Sequence, residues 1–204
     1  MTKSSDAKSD DRILIWALAK GLGQCFLALL VVVSILSLTA CTKARSRFEP
    51  GVLRVNLGTE PPGLDWHTAT DSTSFDVVSN LMVGLTQYTN DLTCAPSCAK
   101  DWEVLDDGKR YLFHLRDDLR WTDGKPVTAY DFEYAWKRLL NPATAAQYAF
   151  FLYDVVNARE YNTGKLKNAD LLGIKALDPL TFEVRLSKPA AYFIYLTAFC
   201  VSFP

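Results

Sequence analysis

The most informative segment of the chain is Trp121-Thr122-Asp123-Gly124-Lys125-Pro126-Val127-Thr128-Ala129-Tyr130-Asp131-Phe132. Its Asp-Gly pair predicts a tight turn, and Pro126 fixes the direction of the chain after that turn. Thr128 followed by Asp131 is a variant of the capping box, in which two side chains satisfy backbone groups at a helix N-terminus. A helix is therefore predicted from the Thr128 cap to about Leu140, where an Asn-Pro step ends it.

On both sides of this helix, apolar residues alternate with the period of strands or recur with the period of helices. The predicted elements are strands at 52–57, 85–88, 102–105, 110–116, 173–177 and 181–186, and helices at 74–84 and 143–161. Asp-Gly and Asp-Pro turns join the last four strands into two hairpins. This order predicts an α+β fold, with mixed sheets and helices packed on them, rather than a regular β-α-β winding.

Composition and charge exclude several classes of function. The 204 residues include 22 Lys and Arg against 23 Asp and Glu, a net charge of −1, which does not support nucleic-acid binding. No phosphate-binding loop, dinucleotide fingerprint, zincin motif or nucleophile elbow is present. His67 and His114 lie in no recognisable catalytic context, and His114 is predicted to be a half-exposed strand histidine. The chain is therefore predicted not to be an enzyme, with no cofactor and no metal.

The N-terminus has the pattern of a secretory signal over residues 1–40, with a basic start, an apolar run and small residues before a cleavage point. Leu38-Thr39-Ala40-Cys41 resembles a lipobox, which predicts lipidation of Cys41. Acyl chains there would anchor the chain, since each buried CH₂ contributes about 0.8 kcal/mol. The alternative is an uncleaved anchor helix with an incidental cysteine. Both alternatives place the residues after Cys41 outside the cytoplasm, with residues 41–50 as a tether.

Three further cysteines lie beyond this segment. Cys94 and Cys98 are four residues apart, and an oxidising compartment favours a local disulfide between them. Two free thiols, or the front half of a metal site, are the alternatives that the spacing leaves open. Cys200 lies in an apolar run and is predicted to be a small buried side chain.

Several segments together are similar to family 5 extracellular solute-binding proteins, the dipeptide, oligopeptide and nickel receptors of ABC importers. The 121–132 stretch is similar, nearly letter by letter, to the signature of that family. The other matching blocks are Glu60-Pro61-Pro62-Gly63-Leu64-Asp65, Gly84-Leu85-Thr86, Trp102-Glu103-Val104, Asp107-Gly108, Tyr111-Leu112-Phe113-His114-Leu115-Arg116, Arg138-Leu139-Leu140-Asn141-Pro142 and Leu172-Gly173-Ile174-Lys175-Ala176-Leu177-Asp178. The resemblance covers about residues 51–204.

The resemblance implies the N-terminal part of the first lobe of a two-lobed, periplasmic-binding-protein-like fold. It implies a lipid-anchored receptor in the cell envelope, facing the periplasm or the cell exterior. The implied partners are a peptide or another small solute, the permease subunits of an ABC transporter, and the membrane through the anchor. The alternative is a truncated lipoprotein that binds no ligand and has a structural or interaction role.

The resemblance also implies ligand-binding residues. In oligopeptide receptors the segment after the Leu-Asp step lines the peptide cleft, and here that segment is Thr70, Asp71 and Ser72. A tyrosine after the Asn-Pro helix break also faces the peptide, and here that residue is Tyr148. The alternative is an ordinary polar loop and an amphipathic-helix tyrosine.

The resemblance implies that residues 51–204 supply only one wall of a cleft that the family closes with a second lobe. We therefore expect residues 41–204 alone to bind no peptide with a dissociation constant better than about 1 mM, because ligand sites normally bury most of the ligand.

Overall fold

A computed structural model describes residues 50–204. The predicted signal at 1–40, Cys41 and most of the tether lie outside the described residues. The chain divides into two compact units, Met1–Val55 and Asn56–Pro204, and the helices and strands described below belong to the second unit. Across the part that is described, no helix combines the length and the apolar character needed to cross a bilayer.

Helix α1 spans Ser72–Leu81 and leads into a small sheet of two antiparallel strands, β1 at Thr86–Tyr88 and β2 at Cys94–Pro96. The helix ends three residues before Gly84, which was predicted to terminate it. Gly84 instead allows a close approach between segments, because a Cβ atom there would lie 2.4 Å from the Thr197 carbonyl oxygen.

The main sheet has four antiparallel strands: β3 at Ala99–Leu105, β4 at Arg110–Leu115, β5 at Ile174–Asp178 and β6 at Thr181–Arg185. Their order is β3-β4-β6-β5, so the two predicted hairpins are confirmed and lie side by side. Phe113 on β4 pairs with Phe182 on β6, and both rings are fully buried. The α+β class is confirmed, with the strand pairs in 50–204 all antiparallel.

Helix α2 spans Ala129–Leu140, and its predicted cap and C-terminus are both confirmed. The Asp131 carboxylate accepts hydrogen bonds from the Thr128 backbone N–H at 2.7 Å and from the Thr128 hydroxyl at 2.8 Å. The buried side of α2 packs on β5 and β6. The Glu133 carboxylate of α2 accepts a hydrogen bond from the Ala176 backbone N–H of β5 at 2.7 Å. This bond links the helix to the edge strand of the sheet.

The helix predicted over 143–161 is wrong. That segment forms 3₁₀ turns at Pro142–Thr144 and Ala149–Leu152 and a short helix α3 at Ala158–Asn162. Ala145 and Asn157 have left-handed backbone conformations, which interrupt a helix. Between the turns, the Val156 N–H donates to the Arg185 carbonyl oxygen, so the backbone there pairs with the end of β6 instead. A last short helix, α4, spans Phe193–Leu196.

The strand predicted over 52–57 is also wrong. These residues form no helix or strand, and Leu53 is 86% exposed. Alternating apolar residues make a stable strand only when a neighbouring strand takes up the backbone hydrogen bonds. No strand within 50–204 pairs with this segment.

The predicted disulfide between Cys94 and Cys98 is not formed, and both are free thiols. The Cys94 Sγ lies 3.7 Å from the Ile194 carbonyl oxygen, whereas the Cys98 Sγ lies 3.6 Å from the Val83 carbonyl oxygen. The extended strand β2 begins at Cys94 and carries the chain away from it, so each thiol packs against a different segment.

We expect iodoacetamide without reductant to label Cys94 in the folded chain and to label Cys98 only after urea is added. Cys98 is buried, and burial raises the pKa of its thiol to about 11, so little reactive thiolate is present. Mass spectrometry of the peptides carrying each cysteine is the measurement. Protection of both residues in urea, relieved only by a reductant, would establish the bridge after all.

Candidate functional site

Thr70 and Asp71 lie in the loop that leads directly into α1, and Ser72 is the first residue of that helix. Asp71 is the N-cap, and its carboxylate accepts the Ser74 backbone N–H at 2.8 Å and the Ser74 hydroxyl at 2.7 Å. The Ser74 hydroxyl is the main cause of the lowered pKa of Asp71, followed by the Ser74 backbone N–H. Asp71 is therefore an ionised group held in place by the helix it caps.

A hollow of about 230 Å³ opens beside this loop. Thr70 and Asp71 line it, whereas the exposed Ser72 does not. The remaining lining residues are Pro62, Gly63, Asp65, Thr68 and Ala69.

Tyr148 belongs to a group of five rings that we call the aromatic cluster: Phe75, Tyr148, Phe150, Phe151 and Phe199. The Tyr148 ring centroid lies 5.7 Å from that of Phe75, which stands one turn along α1 from Asp71. The structure thus joins the predicted tyrosine to the predicted loop through the first turn of α1. Tyr148 precedes a 3₁₀ turn and is not on a helix, and its hydroxyl has no hydrogen-bond partner among residues 50–204.

A second group of polar side chains was not predicted as a unit. Arg138, in the last turn of α2, donates from both terminal nitrogens to Asp65, at 2.8 Å to Oδ1 and 2.5 Å to Oδ2. The same Nη1 lies 2.6 Å from Nδ1 of His67. Because an arginine only donates, Nδ1 of His67 accepts, and the proton of the neutral ring is on Nε2. We call Asp65, His67 and Arg138 the polar triad.

Burial sets the protonation state of the triad. His67 is only 1% exposed, and burial lowers the pKa of its ring to about 4, with the positive charge of Arg138 acting in the same direction. The hydrogen bond from Arg138 is the main cause of the lowered pKa of Asp65. At neutral pH the triad therefore contains one anion, one cation and a neutral imidazole. Its His67 Nε2 is buried without a partner in the described residues.

The triad forms one wall of a larger hollow of about 450 Å³. Its other residues are Trp66, Trp121, Asp131, Tyr134, Ala135 and Pro204. The charged groups in this wall are paired with each other or with the helix cap, so the hollow presents mainly aromatic and aliphatic surface. Asp65 and Arg138 each lie in a family block, but they are 73 residues apart and no local signal connects them.

His114 on β4 is half-exposed, as predicted, and contacts Asp101 and Glu103 of β3. Within the described range 50–204, no three His, Cys, Asp or Glu side chains are placed so that they could hold a metal ion.

Comparison with known proteins gives a consistent result. A family model described as "Bacterial extracellular solute-binding proteins, family 5 Middle" matches residues 93–204. A dipeptide-binding protein of Bacillus subtilis is 40% identical over 153 residues, and an oligopeptide-binding protein of the same organism is 41% identical over 152 residues. These alignments cover 75% and 74% of this chain, and the chain spans 28% of the length of each relative.

A solved structure of a Haemophilus influenzae relative in complex with the peptide RPPGFSPFR superposes with a TM-score of 0.70 at 39% identity, covering 73% of this chain and 29% of that one. The fold is therefore the corresponding part of that receptor fold. Solute-binding proteins are not enzymes, in agreement with the absence of catalytic motifs in the sequence. The chain belongs to the bacterial extracellular solute-binding proteins of family 5.

Proposed function

We propose that this chain is the N-terminal part of an extracytoplasmic, lipid-anchored receptor that binds peptides for an ABC importer. The observation that carries the proposal is the position of Tyr148. Its ring is held in the aromatic cluster beside the first turn of α1, and its hydroxyl has no partner among residues 50–204. A hydroxyl without a protein partner is available to a ligand as both donor and acceptor.

The chemistry of the predicted loop suits the main chain of a peptide. Thr70 and Ser72 offer neutral hydroxyls, and Asp71 offers a carboxylate that its helix holds fixed. Peptide N–H and C=O groups need such partners when they leave water, because an unpaired buried group costs about 1–3 kcal/mol. Because such groups bind the peptide main chain, they place little restriction on which side chains the ligand carries.

The relatives favour a peptide over other small solutes. Two of them are named for binding dipeptides and oligopeptides, and a third was crystallised with a peptide. The relatives that bind these ligands are much longer than this chain. That this chain takes part in binding the same class of ligand is therefore part of the proposal. The rival function, a structural lipoprotein without a ligand, makes the opposite prediction in the following experiment.

The test is a chimaera in which residues 56–204 replace the matching segment of the Bacillus subtilis oligopeptide-binding relative. Expressed in a strain that lacks its own receptor, the chimaera should restore growth on an essential amino acid supplied as a peptide. Changing Tyr148→Phe in the chimaera should reduce peptide affinity about fivefold, the effect of one ligand hydrogen bond of about 1 kcal/mol. A folded, surface-exposed chimaera that supports no peptide uptake would refute peptide binding by this segment.

We expect Cys41→Ser to leave the precursor unprocessed, because the lipoprotein signal peptidase cuts before a lipidated cysteine. The motivating sequence is Leu38-Thr39-Ala40-Cys41, which lies outside the described residues. Pulse-labelling with and without globomycin measures the processing. Cys25→Ser is the matched control, because Cys25 lies within the predicted signal and away from the cleavage point. Equal processing of the Cys41→Ser variant and the unaltered chain would exclude the anchor.

A further inference from the structure

We propose that the larger hollow, beside the polar triad, binds a small free organic cation whose nitrogen is fully alkylated, with choline as the simplest example. This inference goes beyond the proposed function, because none of the residues assigned to the peptide lines this hollow. It is carried by the size of the hollow, by the aromatic residues around it and by its net charge.

The hollow has the size and the fixed walls of a small-molecule site. Its volume of about 450 Å³ falls within the range of about 300–1,000 Å³ that is typical of ligand pockets. Trp66 and Trp121 are half-buried and pack against the hydrophobic core. The Trp66 Nε1 also donates to the Phe203 carbonyl oxygen at 3.3 Å. The backbone of Trp121 is fixed by a turn, in which its carbonyl oxygen accepts the Gly124 N–H at 2.9 Å. Both tryptophans are therefore positioned by the protein itself.

The aromatic lining suits a cation. Trp66, Trp121 and Tyr134 all line the hollow. The faces of such rings are electron-rich and attract cations, and tryptophan attracts them most strongly. Tyr134 is 70% exposed whereas the two tryptophans are half-buried, so the tyrosine lies on the solvent side of the hollow.

The charges of the lining also favour a cation. Two carboxylates, Asp65 and Asp131, stand against one guanidinium, that of Arg138. Both terminal nitrogens of Arg138 are bonded to Asp65, so this pair is neutral as a whole. His67 is neutral at pH 7, since burial lowers the pKa of its ring to about 4. The lining therefore carries one net negative charge, which Asp131 supplies.

The hydrogen-bonding groups of the lining decide which kind of cation fits. A primary ammonium or a guanidinium has several N–H donors that need acceptors when they leave water. Both oxygens of Asp65 accept hydrogen bonds from Arg138, and Oδ2 of Asp131 accepts those of the helix cap. Within residues 50–204, Oδ1 of Asp131 is the one carboxylate oxygen of this lining that accepts no hydrogen bond. A fully alkylated nitrogen has no N–H donor to satisfy, and its carbon groups can pack on the rings.

The experiment is saturation-transfer NMR on the 204-residue chain, a method that detects weak binding. The chain is held in nanodiscs of phosphatidylethanolamine and phosphatidylglycerol, lipids without a quaternary nitrogen, and empty nanodiscs are the blank. The probes are choline, ethanolamine and the neutral alcohol in which a tert-butyl group replaces the trimethylammonium group of choline. We expect choline to bind at least about tenfold more tightly than either of the other two, because only choline combines a positive charge with a fully alkylated nitrogen.

Variants of the exposed ring test the aromatic contribution without disturbing the core. Tyr134→Ala should weaken choline binding about fivefold, whereas Tyr134→Phe should keep it, because the ring remains. Tyr130→Ala is the matched control, since Tyr130 lies on the same helix, is 52% exposed and does not line the hollow. It should leave choline binding unchanged. Asp131→Asn keeps an oxygen for the helix cap and removes the negative charge, so it should weaken the binding of choline and not that of the neutral alcohol.

Glycerophosphocholine distinguishes a free cation from a lipid headgroup. Its phosphate adds a negative charge that the net charge of the hollow repels, so it should bind more weakly than choline. Tighter binding of glycerophosphocholine would overturn the assignment to a free cation. Equal binding of choline and the neutral alcohol, tighter binding of ethanolamine, no choline transfer above the blank, or choline binding that survives Tyr134→Ala would each overturn the cation site itself. Peptide uptake by the chimaera tests the proposed function separately.

Discussion

Replacing Trp136 by alanine should lower the free energy of unfolding by about 3–5 kcal/mol, the range for truncating a large buried aromatic side chain. Trp136 is fully buried on α2, and its ring meets Phe182 of the sheet edge-on at 5.2 Å and Phe193 of α4 at 6.2 Å. Its Nε1 donates to the Ser202 carbonyl oxygen at 2.7 Å. The alanine variant loses the ring contacts and leaves a buried carbonyl without its donor.

Urea unfolding followed by circular dichroism measures this change, provided that the dependence of the unfolding free energy on urea concentration is the same in both proteins. Trp136→Phe keeps one buried ring but removes the Nε1 donor together with part of the indole volume. It should therefore cost about 1–3 kcal/mol, less than Trp136→Ala. Tyr134→Ala is the surface control on the same helix, since Tyr134 is 70% exposed, and it should change stability by about 0.5 kcal/mol or less. If Trp136→Ala costs no more than Tyr134→Ala, the core is not organised around this ring.

The elements that the sequence predicted well are those with complete local signals. Helix α2 has a capping box at one end and an Asn-Pro step at the other, and both limits agree with the structure. Each hairpin of the main sheet has a turn between two apolar strands, and the pairing within each hairpin follows from that turn. The pairing of β4 with β6 was not predictable in this way, because it joins segments that are distant in sequence.

The elements that were predicted wrongly depend on contacts beyond their own sequence. Residues 143–161 have apolar residues at helical spacing, yet Asn157 adopts a left-handed conformation and donates its side-chain amide to the Leu171 carbonyl oxygen at 2.6 Å. The neighbouring Val156 N–H donates to the Arg185 carbonyl oxygen at the end of β6. Residues 52–57 alternate like a strand but have no strand beside them in 50–204.

In the candidate site, too, local features could be predicted from the sequence, whereas groups assembled from distant segments could not. Asp71 was singled out through a family resemblance, and its capping role follows from the helix that begins beside it. The aromatic cluster draws its rings from positions between Phe75 and Phe199, so no sequence window contains it. The polar triad likewise joins Asp65 and His67 to Arg138 on another element. Only the tertiary structure brings these groups together.

The polar triad makes stability depend on pH in a defined direction. His67 stays neutral in the folded chain until the pH approaches about 4, whereas in the unfolded chain it titrates near 6.5. Between these values the unfolded state binds a proton that the folded state does not, so the unfolded state gains stability as the pH falls. The contribution of His67 is complete above pH 6.5, is lost as the pH falls toward 4, and changes little below that.

Changing His67→Gln should therefore reduce the loss of stability on acidification. The loss attributable to His67 is about 2 kcal/mol at pH 5 and reaches roughly 3 kcal/mol near pH 4, at 1.36 kcal/mol for each unit of pKa difference. Urea unfolding of both proteins at pH 7.5, 6, 5 and 4 gives the comparison. Asp65 and Arg138, which contact the ring, are present in both proteins, so most of their own titration cancels in the difference. The variant will be less stable at pH 7.5, since Arg138 loses the ring nitrogen that accepts its hydrogen bond. The evidence for linkage is therefore how the difference in unfolding free energy between the two proteins changes as the pH falls. Parallel stability curves from pH 7.5 to pH 4 would mean that His67 is protonated as easily in the folded chain as in the unfolded one, and that the burial of its ring does not exclude the proton.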